Sequence, residues 1–132
     1  MRIVICEDEL VYQVALRQAI HHWQRTTGHN DIEIASYNSS EELLEQFEQK
    51  MEVDLFFIDI ELNGVELARK IRQTQLDVTI VFCTNYNEYV YEGYTVNALR
   101  FLKKPVIQDE VFFCCNYVHS RLNIRNSNSL AF

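Results

Sequence analysis

Apolar residues fall in short unbroken runs, separated by stretches of helical periodicity. RIVIC (2–6), VDLFFIDI (53–60), VTIVFC (78–83) and ALRFL (98–102) are mainly continuous apolar runs. Such runs suit parallel strands covered on both faces. IEIASY (32–37) is less clean and suits an edge strand. Residues 10–26 repeat Tyr12, Leu16, Ala19, Ile20 and Trp23 at helical spacing, and Gly28 ends that region. Ser39 and Glu42 make a capping box that opens a helix burying Leu43, Leu44, Phe47 and Met51. VELARKIRQ, after Asn63-Gly64, turns Leu67, Ala68 and Ile71 inward.

Residues 86–96 read as a further helix, and Tyr86, Tyr89, Tyr91 and Tyr94 are too many for one buried face. A partner surface is expected there. A last helix is expected from about Asp109 to Asn123. The domain is read as 1–123, with 124–132 as a linker or tail. The pattern is β-α five times over, which predicts a doubly wound α/β sandwich with helices on both faces.

Composition narrows the function. The 132 residues are 48% hydrophobic, enough for one substantial core. A net charge of −7 and a pI near 5.0 argue against direct nucleic-acid binding. No apolar stretch reaches the ~18 residues of a membrane span, and MRIVICEDE lacks the pattern of a signal peptide. A soluble, cytoplasmic protein is expected. Cys6, Cys83, Cys114 and Cys115 fit no zinc spacing and read as reduced structural thiols. His21, His22, His29 and His119 show no ligand spacing either.

Polar chemistry collects where the strands end, which is where open α/β sheets bind ligands. The first strand ends in Glu7-Asp8, the third in Asp59, the fourth in Thr84, and the fifth in Lys104 before Pro105. Crowded carboxylates repel unless a cation intervenes. Mg²⁺ takes one or two carboxylates with waters and a phosphate oxygen. Lys104 offers a point charge suited to phosphate. A carboxylate among these groups can act as a nucleophile towards phosphorus.

Taken together, Glu7-Asp8, Asp59, Thr84 and Lys104-Pro105 resemble the receiver domain of bacterial two-component response regulators, over about residues 2–122. TNYNEYVYEGY and ALRFLKKP look most like receivers of the LytTR class, in which a DNA-binding output domain follows. The resemblance implies a flavodoxin-like fold with strand order 2-1-3-4-5. It implies Asp59 as phosphoacceptor, with a histidine kinase as donor. It implies Mg²⁺ (or Mn²⁺) held by Asp8, by Glu7 largely through water, by Asp59 and by the carbonyl of Glu61. Thr84 and Lys104 would contact the phosphoryl group, and Phe101 matches an aromatic switch position, although alternation along ALRFL also allows plain core. The face of the fourth helix, fifth strand and fifth helix would carry the output, often as a homodimer, to control transcription. SNSLAF suggests a longer parent chain.

Two features depart from the family pattern. Only Ile60, Glu61, Leu62 and Asn63 separate Asp59 from Gly64, a shorter loop than usual that constrains the Glu61 backbone. Asn85 stands where a small residue is usual, narrowing access or adding a hydrogen bond. A phosphorylation-independent pseudo-receiver, acting as an interaction or dimerisation module, is the second reading. Enzymes fit less well. A flavodoxin-like FMN protein needs a Ser/Thr/Gly-rich phosphate loop where Glu7-Asp8-Glu9 would repel phosphate. A haloacid-dehalogenase-type phosphatase needs a D-x-D nucleophile that Asp59-Ile60-Glu61 does not supply. The chain is thus expected to be a switch that takes part in its own phosphorylation and dephosphorylation, and not a turnover enzyme.

Overall fold

The apolar runs become strands of one parallel sheet, and the periodic stretches become helices on its two faces. The structure, a computed structural model, describes residues 1–47, 52–85 and 96–130. Its elements in chain order are β1 (Arg2–Cys6), α1 (Leu10–Thr27), β2 (Glu33–Tyr37), α2 (Ser40–Phe47), β3 (Leu55–Asp59), α3 (Gly64–Thr74), β4 (Thr79–Thr84), β5 (Arg100–Lys103) and α4 (Gln108–Leu130). The sheet runs β2-β1-β3-β4-β5 with every pair parallel. The fold class and strand order are those expected. β2 lies at one edge and is only partly covered, which explains its mixed sequence. Of the helix expected over 86–96, residues 86–95 with the four tyrosines lie outside the described residues, as does Met51.

Strand side chains alternate between faces, and here each face has its own core. Val4, Phe56, Ile58, Ile80 and Phe82 pack with Leu43 and Phe47 of α2 and Leu67, Ala68 and Ile71 of α3. Ile3, Ile5, Leu55, Phe57, Val81 and Leu102 pack with Leu16, Ile20 and Trp23 of α1 and Val111, Cys114, Cys115 and Val118 of α4. Burial on both sides is why the central strands read as unbroken apolar runs.

The helix ends follow their caps. Gly28 adopts φ 76° after α1, and its N–H donates to Gln24 O at 2.9 Å. Such a left-handed residue closes a helix at little cost when it is glycine. Ser39 Oγ accepts the N–H of Glu42 at 3.1 Å, the forward half of the capping box. The return bond goes one residue further back, from the N–H of Asn38 to Glu42 Oε2 at 3.1 Å. Helix α4 runs on to Leu130, past the end expected near Asn123. Residues 125–129 are polar, but no Gly or Pro follows Pro105 to stop the helix.

Candidate functional site

The site grows directly out of the second core. Along β1, the alternation Ile3, Ile5 continues to Glu7; along β3, Leu55, Phe57 continues to Asp59; along β5, Leu102 continues to Lys104. Each column is apolar inside the sheet and ionisable at its carboxyl edge. Glu7, Asp59 and Lys104 keep only 4%, 4% and 6% of their surface exposed. Lys104 Nζ lies 2.5 Å from Glu7 Oε1 and 2.9 Å from Asp59 Oδ2. It also stands 4.7 Å from the centre of the Tyr12 ring, a cation–π contact. Lys103, paired with Thr84 in the sheet, is exposed, so the two adjacent lysines separate cleanly.

Charge is finely balanced in this cluster. Burial pushes the Glu7 carboxyl up to about 7, against the pull of Lys104 and of the Glu9 N–H, which donates to Oε2 at 3.1 Å. Burial also raises Asp59, but hydrogen bonds from Glu61 and Lys104 outweigh it and hold the carboxyl below its ordinary value. Burial alone would lower Lys104; its bonds to Glu7 and Asp59 win and raise it. Asp8 is exposed, yet one carboxylate oxygen from each of Glu7, Asp8 and Asp59 lies within 4.8 Å of the others. Such a set of hard oxygen donors, with like charges crowded together, matches what a small divalent cation takes. These three residues can therefore hold a metal ion.

The short loop after Asp59 is a closed turn. Leu62 N–H donates to Asp59 O at 3.1 Å, and Gly64 N–H to Ile60 O at 3.0 Å. Ser40 Oγ donates to Leu62 O, and Leu67 N–H to Asn63 O at 3.0 Å. Among the described residues, the carbonyl of Glu61 takes no hydrogen bond, while its four neighbours each take one. Asn63 sits at φ 56°, in the left-handed region that Asn tolerates better than most residues. Gly64 is required by contact: a Cβ there would lie 2.8 Å from Asp59 O and 3.0 Å from Ile58 Cγ2.

The Glu61 side chain reaches across this turn to β4. Its Oε1 accepts Thr84 Oγ1 at 2.8 Å and the N–H of Asn85 at 3.3 Å, while its own N–H donates to Asp59 Oδ1 at 3.0 Å. Burial and the neighbouring Asp59 carboxylate push Glu61 up. Asn85 thus meets the site through its backbone N–H. Phe101 is half-buried, with its ring 5.4 Å from that of Phe82, beside a cleft of about 380 Å³ lined by Arg100, Leu102, Asp109, Glu110 and Phe113.

Glu7, Asp8, Asp59, Glu61, Thr84 and Lys104 all come together; Phe101 instead lies deeper along β5, paired with Phe82 and two residues before Lys103. Sequence reading missed three supports. Tyr12 was assigned only to the inner face of α1. Gln13 Nε2 donates to Glu7 O at 2.5 Å and to Asn38 Oδ1 at 2.8 Å, tying β1 to α1 and the end of β2. The Glu61 carboxylate contact depends on turn geometry that no spacing announces. The four cysteines are free and buried, and burial pushes Cys6, Cys114 and Cys115 up to about 12. They are inert thiols at neutral pH. His29 and His119 stack with ring centres 3.6 Å apart, far from the acidic cluster in the sheet topology.

The family described as "Response regulator receiver domain" matches residues 3–113. The sensory transduction protein LytT of Bacillus subtilis (strain 168) is 29% identical over 116 residues, covering 84% of this chain and 45% of that protein. The sensory transduction protein LytR of Streptococcus agalactiae serotype V is 30% identical over 114 residues, covering 84% and 45%. The chain thus spans under half the length of these two relatives. The crystal structure of the response regulatory domain of protein mrkE from Klebsiella pneumoniae superposes with a TM-score of 0.78 at 28% identity, covering 92% of this chain and 97% of that one.

Proposed function

This chain belongs to the response regulator receiver family of two-component systems, and on that premise we propose that Asp59 accepts a phosphoryl group from a histidine kinase. The observation that carries this reading is the buried triplet at the sheet edge. Asp59 is held ionised between Lys104 and the Glu61 N–H, beside Glu7 and Asp8. An ionised carboxylate fixed beside a cation and a candidate metal site can act as a nucleophile towards phosphorus at neutral pH. An Asp59 oxygen attacks the phosphorus, the bond from phosphorus to the donor's imidazole nitrogen breaks, and that nitrogen leaves with the electron pair and takes a proton from solvent.

Lys104 supplies positive charge to the phosphoryl oxygens at a fixed point, because Glu7 and the Tyr12 ring hold it there. Thr84 and the Asn85 N–H, which donate to Glu61 Oε1 in this structure, would turn to another phosphoryl oxygen. Asp8, Glu7, Asp59 and the Glu61 carbonyl would hold Mg²⁺ or Mn²⁺. When bound, the ion supplies charge neutralisation for the phosphoryl oxygens. The switch then runs from Thr84 to Phe101 and the surface of β5 and α4, where a homodimer would form and the control of transcription would begin. The exposed Leu10, Val11 and Val14 beside the acidic pocket suit docking of the kinase in the cytoplasm.

Acetyl phosphate with Mg²⁺ tests the acceptor. The expected result is a mass increase of one phosphoryl group, or a retarded Phos-tag band, that Asp59→Asn abolishes. No shift in the wild type, or an equal shift in Asp59→Asn, overturns the reading in favour of a phosphorylation-independent interaction module. Among the described residues, no helix is long and apolar enough to cross a membrane.

A further inference from the structure

The contacts of the Glu61 side chain carry a second step, which rests on the acceptor reading of Asp59. Oε1 of Glu61 receives both the Thr84 hydroxyl and the Asn85 N–H. These two donors sit at the end of β4, directly beside Asp59: the sheet pairs Asp59 with Cys83, and Thr84 follows. A hydroxyl and a neighbouring backbone N–H converging on one oxygen are what an oxyanion on Asp59 would need. In the present structure, that oxyanion is supplied by the chain itself. Glu61 can reach this place because the short turn brings it back over Asp59, with its own N–H fixed on Asp59 Oδ1.

We propose that the Glu61 carboxylate is an internal anion that occupies the Thr84 and Asn85 donors before Asp59 is modified, and that the phosphoryl group takes those donors by displacing it. The donors cannot serve two oxyanions at full strength, and two negative groups in one place repel. Displacement is structurally open, since Glu61 as a residue is exposed and its side chain can swing into solvent. Glu61 therefore does two things. It keeps the Thr84 hydroxyl turned towards the site in the resting state. It also competes with the incoming group and so sets how firmly the switch is held. Glu61 is a positioning residue in this scheme, since it acts through Thr84 and Asn85.

Beryllofluoride, which forms an adduct mimicking a phosphoryl group on Asp59, gives the test. Its affinity is measured by calorimetry at saturating Mg²⁺ for the wild type, Glu61→Ala, Glu61→Gln and Asp59→Asn. Releasing two competing hydrogen bonds is expected to tighten binding about tenfold in Glu61→Ala. Glu61→Gln keeps the acceptor oxygen but not the charge, and is expected to fall between. The methyl resonance of Thr84 supplies a readout that a merely structural role would not move. It should report one fixed rotamer in the resting wild type and an averaged one in resting Glu61→Ala. Wild-type binding that Glu61→Ala leaves unchanged or weakens overturns this inference and leaves the acceptor reading standing. Binding in neither protein overturns the acceptor reading and this inference with it.

Discussion

At the residue scale, the site depends on one position with no side chain. Gly64 lets the chain pass against the carbonyl of Asp59, where a Cβ would be 2.8 Å away. Gly64→Ala must push that carbonyl, and Ile58 behind it, out of place. The expected cost is about 1–3 kcal/mol, the range for overpacking a fixed interior, read from urea unfolding. A loss below the resolution of the urea curve would show that the turn is softer than its hydrogen bonds imply. The need for Gly64 was visible in the sequence only as an Asn-Gly turn signal. What the glycine touches was not, because the turn closes on a strand end several residues back. Asp59, Glu7 and Lys104 were legible for a physical reason: each is the next inward position of an apolar column. Glu61 was legible for its carbonyl alone, since its side-chain partners come from β4.

At the element scale, Arg72 near the end of α3 shows what periodicity cannot. Its guanidinium donates to the carbonyls of Leu76, Val78, Val96 and Asn97, at 3.0 Å for Leu76, 2.8 Å for Val96 and 3.2 Å for Asn97. These carbonyls belong to the turn before β4, to β4's approach and to the approach to β5. Arg72→Met keeps the bulk and leaves them without that donor. A loss of about 2–3 kcal/mol is expected by urea unfolding, given roughly 1–3 kcal/mol per buried group left unsatisfied. A charged residue on an otherwise polar helix flank gave no sign of this role.

The clasp between α1 and α4 was only half legible too. Trp23 was assigned inward, but its Nε1 bond to Asn116 Oδ1 at 2.8 Å, and the stack of His29 on His119 beside it, join elements distant in sequence. Burial, His29 and the N-terminal ammonium hold His119 below its ordinary value. The folded form therefore binds that proton less readily than the unfolded chain. This part of stability is intact above the ordinary value of 6.5 and is lost as pH falls below it towards the folded value. His119→Phe keeps a ring in the stack and removes the titration. Urea midpoints should drop less for His119→Phe than for wild type between about pH 7.5 and 5.5. An equal drop in both proteins would refute the assignment.

At the scale of the whole molecule, the doubly wound class and the gathering of the acids at the strand ends follow from the alternation of apolar runs and helices, whereas the strand order came from the resemblance to receiver domains. The end of α4 was not legible, because polar residues without Gly or Pro permit a helix as readily as a tail. If the edge binds what is proposed, ligand must stabilise the entire fold. Mg²⁺ with beryllofluoride at a hundredfold excess over its dissociation constant should add about 2.7 kcal/mol. Differential scanning fluorimetry should then show a melting temperature higher by several degrees, with no rise in Asp59→Asn. An unchanged wild-type melt would contradict the site. The alternating columns of β1, β3 and β5 add one more consequence. A one-residue slip of any of them would carry Glu7, Asp59 or Lys104 to the opposite layer. Stoichiometric uptake of the anion by refolded protein would therefore count the molecules whose strands found the right partners, making the site a gauge of folding fidelity that bulk spectroscopy of secondary structure cannot provide.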